Sequence, residues 1–254
     1  MNKTALITGA SSGIGKETAY VFAQNKFDLI LVARREENLN IIKKNIEDKH
    51  QTKVQVIAMD LAVLDAAETL FEKLKSQQIT VLVNNAGFGL YGDFLNEDLK
   101  KEEQMLVLNI VTLTKLTRLF AEKMVKNGGG NIVNIASTAA FQPVPTLATY
   151  AATKAYVLNF SEAIAFELKS KKVYVTAICP GATASEFGKV AGFKENDSFF
   201  KGIPSAKELA NFIFNAMQSK KTTVIHGLKN KILAFSNRFA PRKLTTFMAY
   251  KIMN

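Results

Sequence analysis

The 254-residue chain holds a single cysteine, Cys179, so no disulfide can form within it, which fits a reducing compartment. Cys179 lies in an apolar run and reads as a buried strand residue. The chain holds two histidines, His50 and His226, and neither sits in a supporting motif. Both read as surface or loop positions, no metal constellation is expected, and a serine-hydrolase reading has nothing to rest on. No run of about eighteen apolar residues is present, so no transmembrane helix is expected. The opening residues lack a long apolar segment before a small-residue cleavage site; no signal peptide is expected, and the expected location is the cytoplasm. Zinc-finger spacing and a basic zipper are also missing, so nucleic acid is not an expected partner despite a formal net charge of +11. That charge suits a membrane surface, an anionic cofactor or simply a lysine-rich soluble surface, and the last is the plainest reading.

What is present is ordinary globular material, with 48% hydrophobic and 22% charged residues. Short apolar, β-branched runs occur at 4–8, 27–33, 54–59, 81–83, 131–136, 173–178 and 223–225. They lack polar alternation, as strands buried on both faces do. Amphipathic segments at 15–25, 36–49, 64–76, 99–126, 150–170 and 206–219 separate them. Strand and helix alternating this often predict an α/β fold, a parallel sheet with helices on both faces. No linker or repeat interrupts the pattern, so 1–254 is expected to be one domain.

The stretch Thr8-Gly9-Ala10-Ser11-Ser12-Gly13-Ile14-Gly15 leaves the first strand and opens the first helix. Glycine is wanted there so that a diphosphate can approach backbone N–H groups at a helix N-terminus. The spacing is G-x-x-x-G-x-G rather than G-x-G-x-x-G. At the end of the second strand an NAD site usually carries an acid for the ribose 2′-hydroxyl. This chain instead reads Ala33-Arg34-Arg35, and an arginine pairs with a 2′-phosphate that an acid would repel. NADP(H) is therefore the expected cofactor, with Arg34 as the principal contact. Glu36 and Glu37 suit the first turn of the next helix.

Tyr150-Ala151-Ala152-Thr153-Lys154 places a tyrosine four residues ahead of a lysine. Alone it is either a helix start with a surface pair or a catalytic acid with its tuning partner. Further stretches fall at strand ends: Asp60-Leu61, Asn84-Asn85-Ala86-Gly87, Ser137 and Pro180-Gly181. In this order and at these spacings, from Thr4 to about Ile225, the chain resembles the short-chain dehydrogenase/reductase family. The resemblance implies a doubly wound, seven-stranded Rossmann sheet and a catalytic set at Asn109, Ser137, Tyr150 and Lys154. It implies a nicotinamide cofactor held by Gly9, Ser11, Ser12, Gly13, Ile14 and Gly15, by Asp60 and Leu61, and by Asn85, Ala86 and Gly87. Pro180 and Gly181 match the segment beside the nicotinamide, with Thr183 and Ser185 as candidates for its carboxamide. Two positions depart from the pattern. Ser12 stands where many NADP-preferring members have a basic residue, leaving the 2′-phosphate to Arg34 with Arg35 and a serine hydroxyl. Ser185 stands where threonine is frequent.

The chemistry asks for these residue types. Reducing a ketone by hydride leaves an alkoxide that needs a proton, and an unperturbed tyrosine, with a pKa of about 10, is a poor acid–base catalyst. A neighbouring ammonium favours phenolate, and i, i+4 spacing puts Lys154 on the face of Tyr150. In the family pattern Ser137 holds the carbonyl, Lys154 also binds the nicotinamide ribose, and Asn109 orders a water between Lys154 and solvent. The residues alone read Asn109 as a helix-interior amide bonded to nearby backbone.

The expected substrate is a small carbonyl or alcohol compound, apolar because Phe88, Phe141, Phe187 and Phe193 lie near the expected crevice. Residues 184–204, with Gly188, Gly192, Gly202 and Phe199-Phe200, read either as a substrate lid or as a surface connection. The tail 229–254 mixes apolar and basic residues, as an amphipathic helix on an anionic membrane or a partner does, or as a helix packed on its own domain does. A second functional reading follows from that tail, a cofactor-binding module that acts by association. By analogy with the family a homodimer or homotetramer is expected, through the helices at 99–126 and 150–170.

Overall fold

The computed structural model describes residues 3–193 and 202–253. Seven strands run in parallel in the order β3-β2-β1-β4-β5-β6-β7, comprising β1 (Thr4–Thr8), β2 (Asp28–Ala33), β3 (Val54–Ala58), β4 (Val81–Asn84), β5 (Gly130–Ile135), β6 (Val173–Cys179) and β7 (Thr223–Ile225). The order reverses between β1 and β4, and ligands of such sheets bind at that switch, beyond the strands' carboxyl ends. Register brings those ends level: Thr8 lies beside Val32, Asn84 beside Asn134 and Cys179 beside Ile225.

Helices cover both faces because each strand side chain alternates direction and both sides are apolar. On one face α1 (Gly13–Gln24), α2 (Glu36–Lys49) and α8 (Ala206–Gln218) bury Phe22, Leu39, Ile46 and Phe214 against Ala5, Ile7 and Leu31. Phe22, Phe27 and Phe214 meet edge to face with ring centroids 5.1–6.0 Å apart. Truncating such a ring to alanine costs about 3–5 kcal/mol. The opposite face is built by α3 (Ala66–Leu74), α5 (Leu113–Lys126) and α6 (Ala148–Lys169), which bury Leu70, Phe120 and Ala165 against Leu6, Ile30 and Leu82. Cys179 is fully buried in β6.

Three segments differ from expectation. The stretch 99–126 is three consecutive pieces, α4 (Leu99–Leu106), a π-helical turn (Val107–Thr112) and α5. Within 184–204 a short helix forms, α7 (Phe187–Ala191), and Ala184 pairs with Ser205 in an isolated bridge. Residues 194–201 of that expected lid, including Phe199 and Phe200, fall outside the described residues. The tail forms two helices, α9 (Leu228–Ser236) and α10 (Arg242–Met253), separated at Ala240-Pro241. Proline disfavours helical geometry in the residue before it and is well tolerated where a helix begins. His226, read as a surface or loop position, lies in the loop between β7 and α9 and is buried there, its ring edge-on to Phe212.

Candidate active site

The glycine loop sits on the carboxyl end of β1. Gly9 has φ +66°, and a Cβ there would lie 2.8 Å from Ala86 Cα. A Cβ on Gly15 would lie 2.3 Å from Gly9 O and 2.5 Å from Asn85 Nδ2. These two glycines are therefore required by the protein's own packing against the Asn85-Ala86 turn, before any ligand is considered. Asn85 Nδ2 donates to Thr8 O (3.0 Å) and Gly9 O (3.2 Å), and the Asn85 and Ala86 amides donate to Thr8 Oγ1. Ser12 is the N-cap of α1, yet its side chain does not cap the helix and the first turn holds no acid. Such an N-terminus suits an anion, and the residues fit the diphosphate of a dinucleotide.

Arg35, rather than Arg34, turns back onto this loop. Its guanidinium donates to Ser11 Oγ (3.2 Å), to Ser12 Oγ (2.7 Å) and to Glu186 Oε2 (2.8 Å). The reason is local: β2 ends at Ala33 and Arg35 is the N-cap of α2, with φ −85° and ψ 90°. Arg34 is exposed and makes no hydrogen bond or ion pair among the described residues. Glu186 has no signal in the sequence that would have placed it here. The adenine-side candidates also lie at a strand end: Asp60 Oδ1 accepts from the Ala62 amide, and Leu61 is buried with its carbonyl accepting from Thr112 Oγ1.

Across the switch, Ser137 follows β5 and caps a 3-10 turn, its Oγ accepting from the Ala139 amide (3.1 Å). Tyr150 and Lys154 lie on one face of α6 and both are buried. The Tyr150 phenol is pushed up to about 12 by burial, against which its hydrogen bond with Ser137 works in the opposite direction. Burial pulls the Lys154 ammonium down to about 8, and the Cys179 thiol slightly opposes this. Lys154 Nζ lies 5.7 Å from the centroid of the Tyr150 ring and donates to Ile135 O (2.7 Å). Burial thus raises the phenol and lowers the ammonium, the directions desolvation takes for an acid and a base.

Asn109 occupies the π-helical turn. Its Nδ2 donates to Phe88 O (2.9 Å) and Thr153 Oγ1 (3.1 Å), and its Oδ1 accepts from the Phe88 amide (3.3 Å). The amide thus braces the segment after β4 rather than its own helix, and π-turns recur at functional sites for such re-aiming. Gly87 lies between the two sides, since a Cβ there would be 2.9 Å from Asn109 Oδ1 and 3.6 Å from Lys154 Nζ. After β6, Pro180 O accepts from the Thr138 amide, Thr183 Oγ1 donates to Gly181 O, and Ser185 packs within 3.0 Å of where a Gly13 Cβ would stand. The nicotinamide-side candidates and the glycine loop are thus neighbours.

An apolar cluster adjoins the tyrosine. The Phe187 ring lies 5.2 Å from that of Tyr150, Tyr91 and Phe193 stack at 4.1 Å, and Phe88 and Met253 pack alongside. Phe141 belongs elsewhere, against Val157 and Cys179. Tyr91 Oη donates to Met253 O (2.9 Å), so the end of α10 closes one side of the cluster. Among the described residues no group of His, Cys, Asp or Glu is placed to hold a metal, and no helix is long and apolar enough to cross a membrane.

The family model for short chain dehydrogenases matches residues 3–195. The chain belongs to the short-chain dehydrogenase/reductase family. It is 32% identical over 260 residues to the very-long-chain 3-oxoacyl-CoA reductase of Mus musculus, covering 100% of this chain and 79% of that one. It is 32% identical over 224 residues to hydroxysteroid dehydrogenase-like protein 1 of Gallus gallus, covering 86% of this chain and 66% of the relative. The match to the Rattus norvegicus reductase spans 62% of that protein. The fold superposes on a short-chain dehydrogenase from Sphingobium yanoikuyae in complex with NADPH, with TM-score 0.85, 31% identity and coverage of 93% and 94%. It also superposes on the bulky-bulky ketone specific alcohol dehydrogenase from Comamonas testosteroni, with TM-score 0.80, 29% identity and coverage of 93% and 92%. As a short-chain dehydrogenase/reductase the chain is an oxidoreductase acting between CH–OH and C=O with a nicotinamide cofactor.

Proposed function

We propose that the protein is an NADP(H)-dependent reductase of bulky apolar carbonyl compounds, with Tyr150 as general acid. The carrying observation is the meeting of the Tyr150 phenol with Ser137, with the Lys154 ammonium behind, beside an uncapped helix N-terminus. When bound, the reduced nicotinamide supplies hydride to the carbonyl carbon. Ser137 donates a hydrogen bond to the carbonyl oxygen, and Tyr150, which keeps its proton at neutral pH, delivers it to the forming alkoxide. The phenolate left on Tyr150 is stabilised by Lys154, which is still an ammonium at pH 7 because its pKa is about 8. Asn109 acts as a positioning residue for the Phe88 backbone.

The preference for the 2′-phosphate rests on Arg35 with the Ser11 and Ser12 hydroxyls, and Arg34 beside it adds positive charge. The NADPH complex of the Sphingobium yanoikuyae relative supports that reading. The apolar cluster of Phe88, Phe187 and Phe193, with the names of the reductase and bulky-ketone relatives, supports an apolar substrate. Exposed Phe166 and Tyr156 on α6 and Leu106 on α4 support association of copies through these helices. Titrating the protein with NADPH and NADH tests the cofactor reading. NADPH is expected to bind at least about tenfold tighter, a difference of about 1.4 kcal/mol; equal affinities would remove it.

A further inference from the structure

The two tail helices face the wrong way for a water-soluble surface. In α9 the inward positions are Asn230, Ala234 and, just beyond it, Asn237, tied down by Asn230 Nδ2 to His226 O (2.8 Å) and Asn237 Nδ2 to Gln142 Oε1 (2.8 Å). Its outward positions are Leu228, Ile232, Leu233 and Phe235, followed by Phe239, which is 76% exposed. In α10 Ala249 is buried, whereas Leu244, Phe247, Met248 and Ile252, spaced as one helical stripe, are exposed. Exposed apolar side chains clustered in this way on two successive helices mark an interaction surface.

Charge identifies what covers it. Lys229 and Lys231 on α9, Arg242, Lys243 and Lys251 on α10, and Arg238 between them stud the tail, and no Asp or Glu occurs after Glu208. Two copies meeting through this face would set like charges together with no acid of the tail to answer them. Exposed apolar side chains interspersed with Lys and Arg are what an anionic lipid surface takes up, apolar groups entering the acyl boundary and cations the headgroups. We propose that α9 and α10 dock the protein peripherally on an anionic bilayer. Because Met253 packs in the cluster that contains Tyr150, a chain docked this way holds that apolar cluster close to the lipid.

Flotation of the full chain with vesicles tests this. Phosphatidylcholine vesicles containing phosphatidylglycerol are expected to carry the protein, vesicles of phosphatidylcholine alone are not, and raised salt is expected to release it. Phe235→Ser with Phe239→Ser, and separately Lys231→Glu with Arg238→Glu and Lys243→Glu, are each expected to weaken binding at least about tenfold. Circular dichroism and NADPH affinity report that both variants remain folded. The proposal is overturned if the native chain ignores anionic vesicles, binds neutral ones equally, or binds as before in both variants. It is equally overturned if the native chain stays off vesicles while these substitutions dissociate an oligomer seen in sedimentation, which would make the face an interface between copies.

Discussion

Arg35 reaches across the glycine loop to Glu186: its Nη2 lies 2.8 Å from the Glu186 carboxylate and 2.7 Å from Ser12 Oγ. Glu186 is the N-cap of α7, so one ion pair ties the turn after β2 to the substrate side of the cleft. The hydrogen bond from Arg35, and then that with Ser12, hold the Glu186 carboxyl below the usual carboxylate range. A carboxylate and a 2′-phosphate compete for the same guanidinium. Glu186→Gln keeps the shape and removes the charge, so its Kd for NADPH is expected to fall about threefold to tenfold, with that for NADH changing less than about twofold. Arg35→Ala is expected to weaken NADPH at least about tenfold. Both partners are about half exposed, so neither change is expected to shift unfolding by more than about 1 kcal/mol. Fluorescence titration and a denaturant melt read the two effects separately.

The buried pair on α6 sets the pH behaviour. Lys154 loses its proton near pH 8 and Tyr150 keeps its proton up to about 12. Reduction needs both protons in place, so kcat/KM for a ketone is expected to be level toward neutral pH and to fall above about pH 8 as the ammonium is lost. Tyr150→Phe is expected to lower kcat by about 10²- to 10⁴-fold while NADPH still binds. A pH–rate series with parallel cofactor titration checks both, and normal turnover in Tyr150→Phe would sink the mechanism.

Lys154 also costs stability. Its folded pKa, about 8, lies below the ordinary 10.5, so between those values the unfolded chain binds more protons than the folded one. The contribution of Lys154 to stability is therefore expected to rise with pH from about 8, visibly up to about pH 9, above which the buried Cys179 thiol and then Tyr150, both pushed up to about 12, work the other way. The cost of holding the ammonium below that window is roughly 3 kcal/mol. Lys154→Met removes the charge and keeps most of the volume. It also leaves Ile135 O without its donor, which takes back part of the gain. The expected net is a melt at pH 7 at least as stable as the native chain and without the native rise between about pH 8 and 9, together with loss of turnover. A variant that melts lower at pH 7 while retaining the native pH slope would show that the ammonium is not the strained group.

Asn109 is a bracket, and its loss is expected to act on geometry first. Asn109→Ala leaves the Phe88 amide and carbonyl without their partner, an expected cost of about 1–3 kcal/mol in unfolding free energy. Thr153→Val removes one hydrogen bond to the same amide and is expected to cost less. If bracing is its role, kcat in Asn109→Ala falls with the pH profile unchanged in shape. A shifted profile would instead assign Asn109 to proton transfer.

Much of this was legible from pattern. Apolar runs placed all seven strands within one or two residues; the inner strands, buried on both faces, carry no competing signal, and the edge strands β3 and β7 are short enough to be read from their β-branched residues. The strand-end motifs converge because a parallel sheet puts every strand's carboxyl end on one edge. What pattern missed depends on where chain direction turns. Arg34 and Arg35 are adjacent, and only the cap geometry of α2 decides which one faces the loop. Glu186 is 151 residues from Arg35, a pairing no local spacing encodes. The π-turn at Asn109 looked like continuous helix because its apolar spacing hardly changes. Burial of Tyr150 and Lys154, which pushes the phenol up and the ammonium down, is invisible in i, i+4 spacing.

Gly89 lies against both Tyr150 and the apolar wall. A Cβ on Gly89 would stand 2.9 Å from Phe187 Cζ and 3.1 Å from Tyr150 Cδ2. Tyr150 is locked within α6, whereas the contact on Phe187 is the far end of a ring carried by the five-residue α7, so the phenylalanine yields. Gly89→Ala is therefore expected to raise KM for a bulky ketone several-fold and leave the Kd for NADPH unchanged. Phe187→Ala removes the obstacle, so adding Gly89→Ala to it is expected to do little more, an interaction energy of about 0.5–3 kcal/mol in the double-mutant cycle. If the two effects simply add, Gly89 acts through Tyr150 itself, and kcat rather than KM carries the loss.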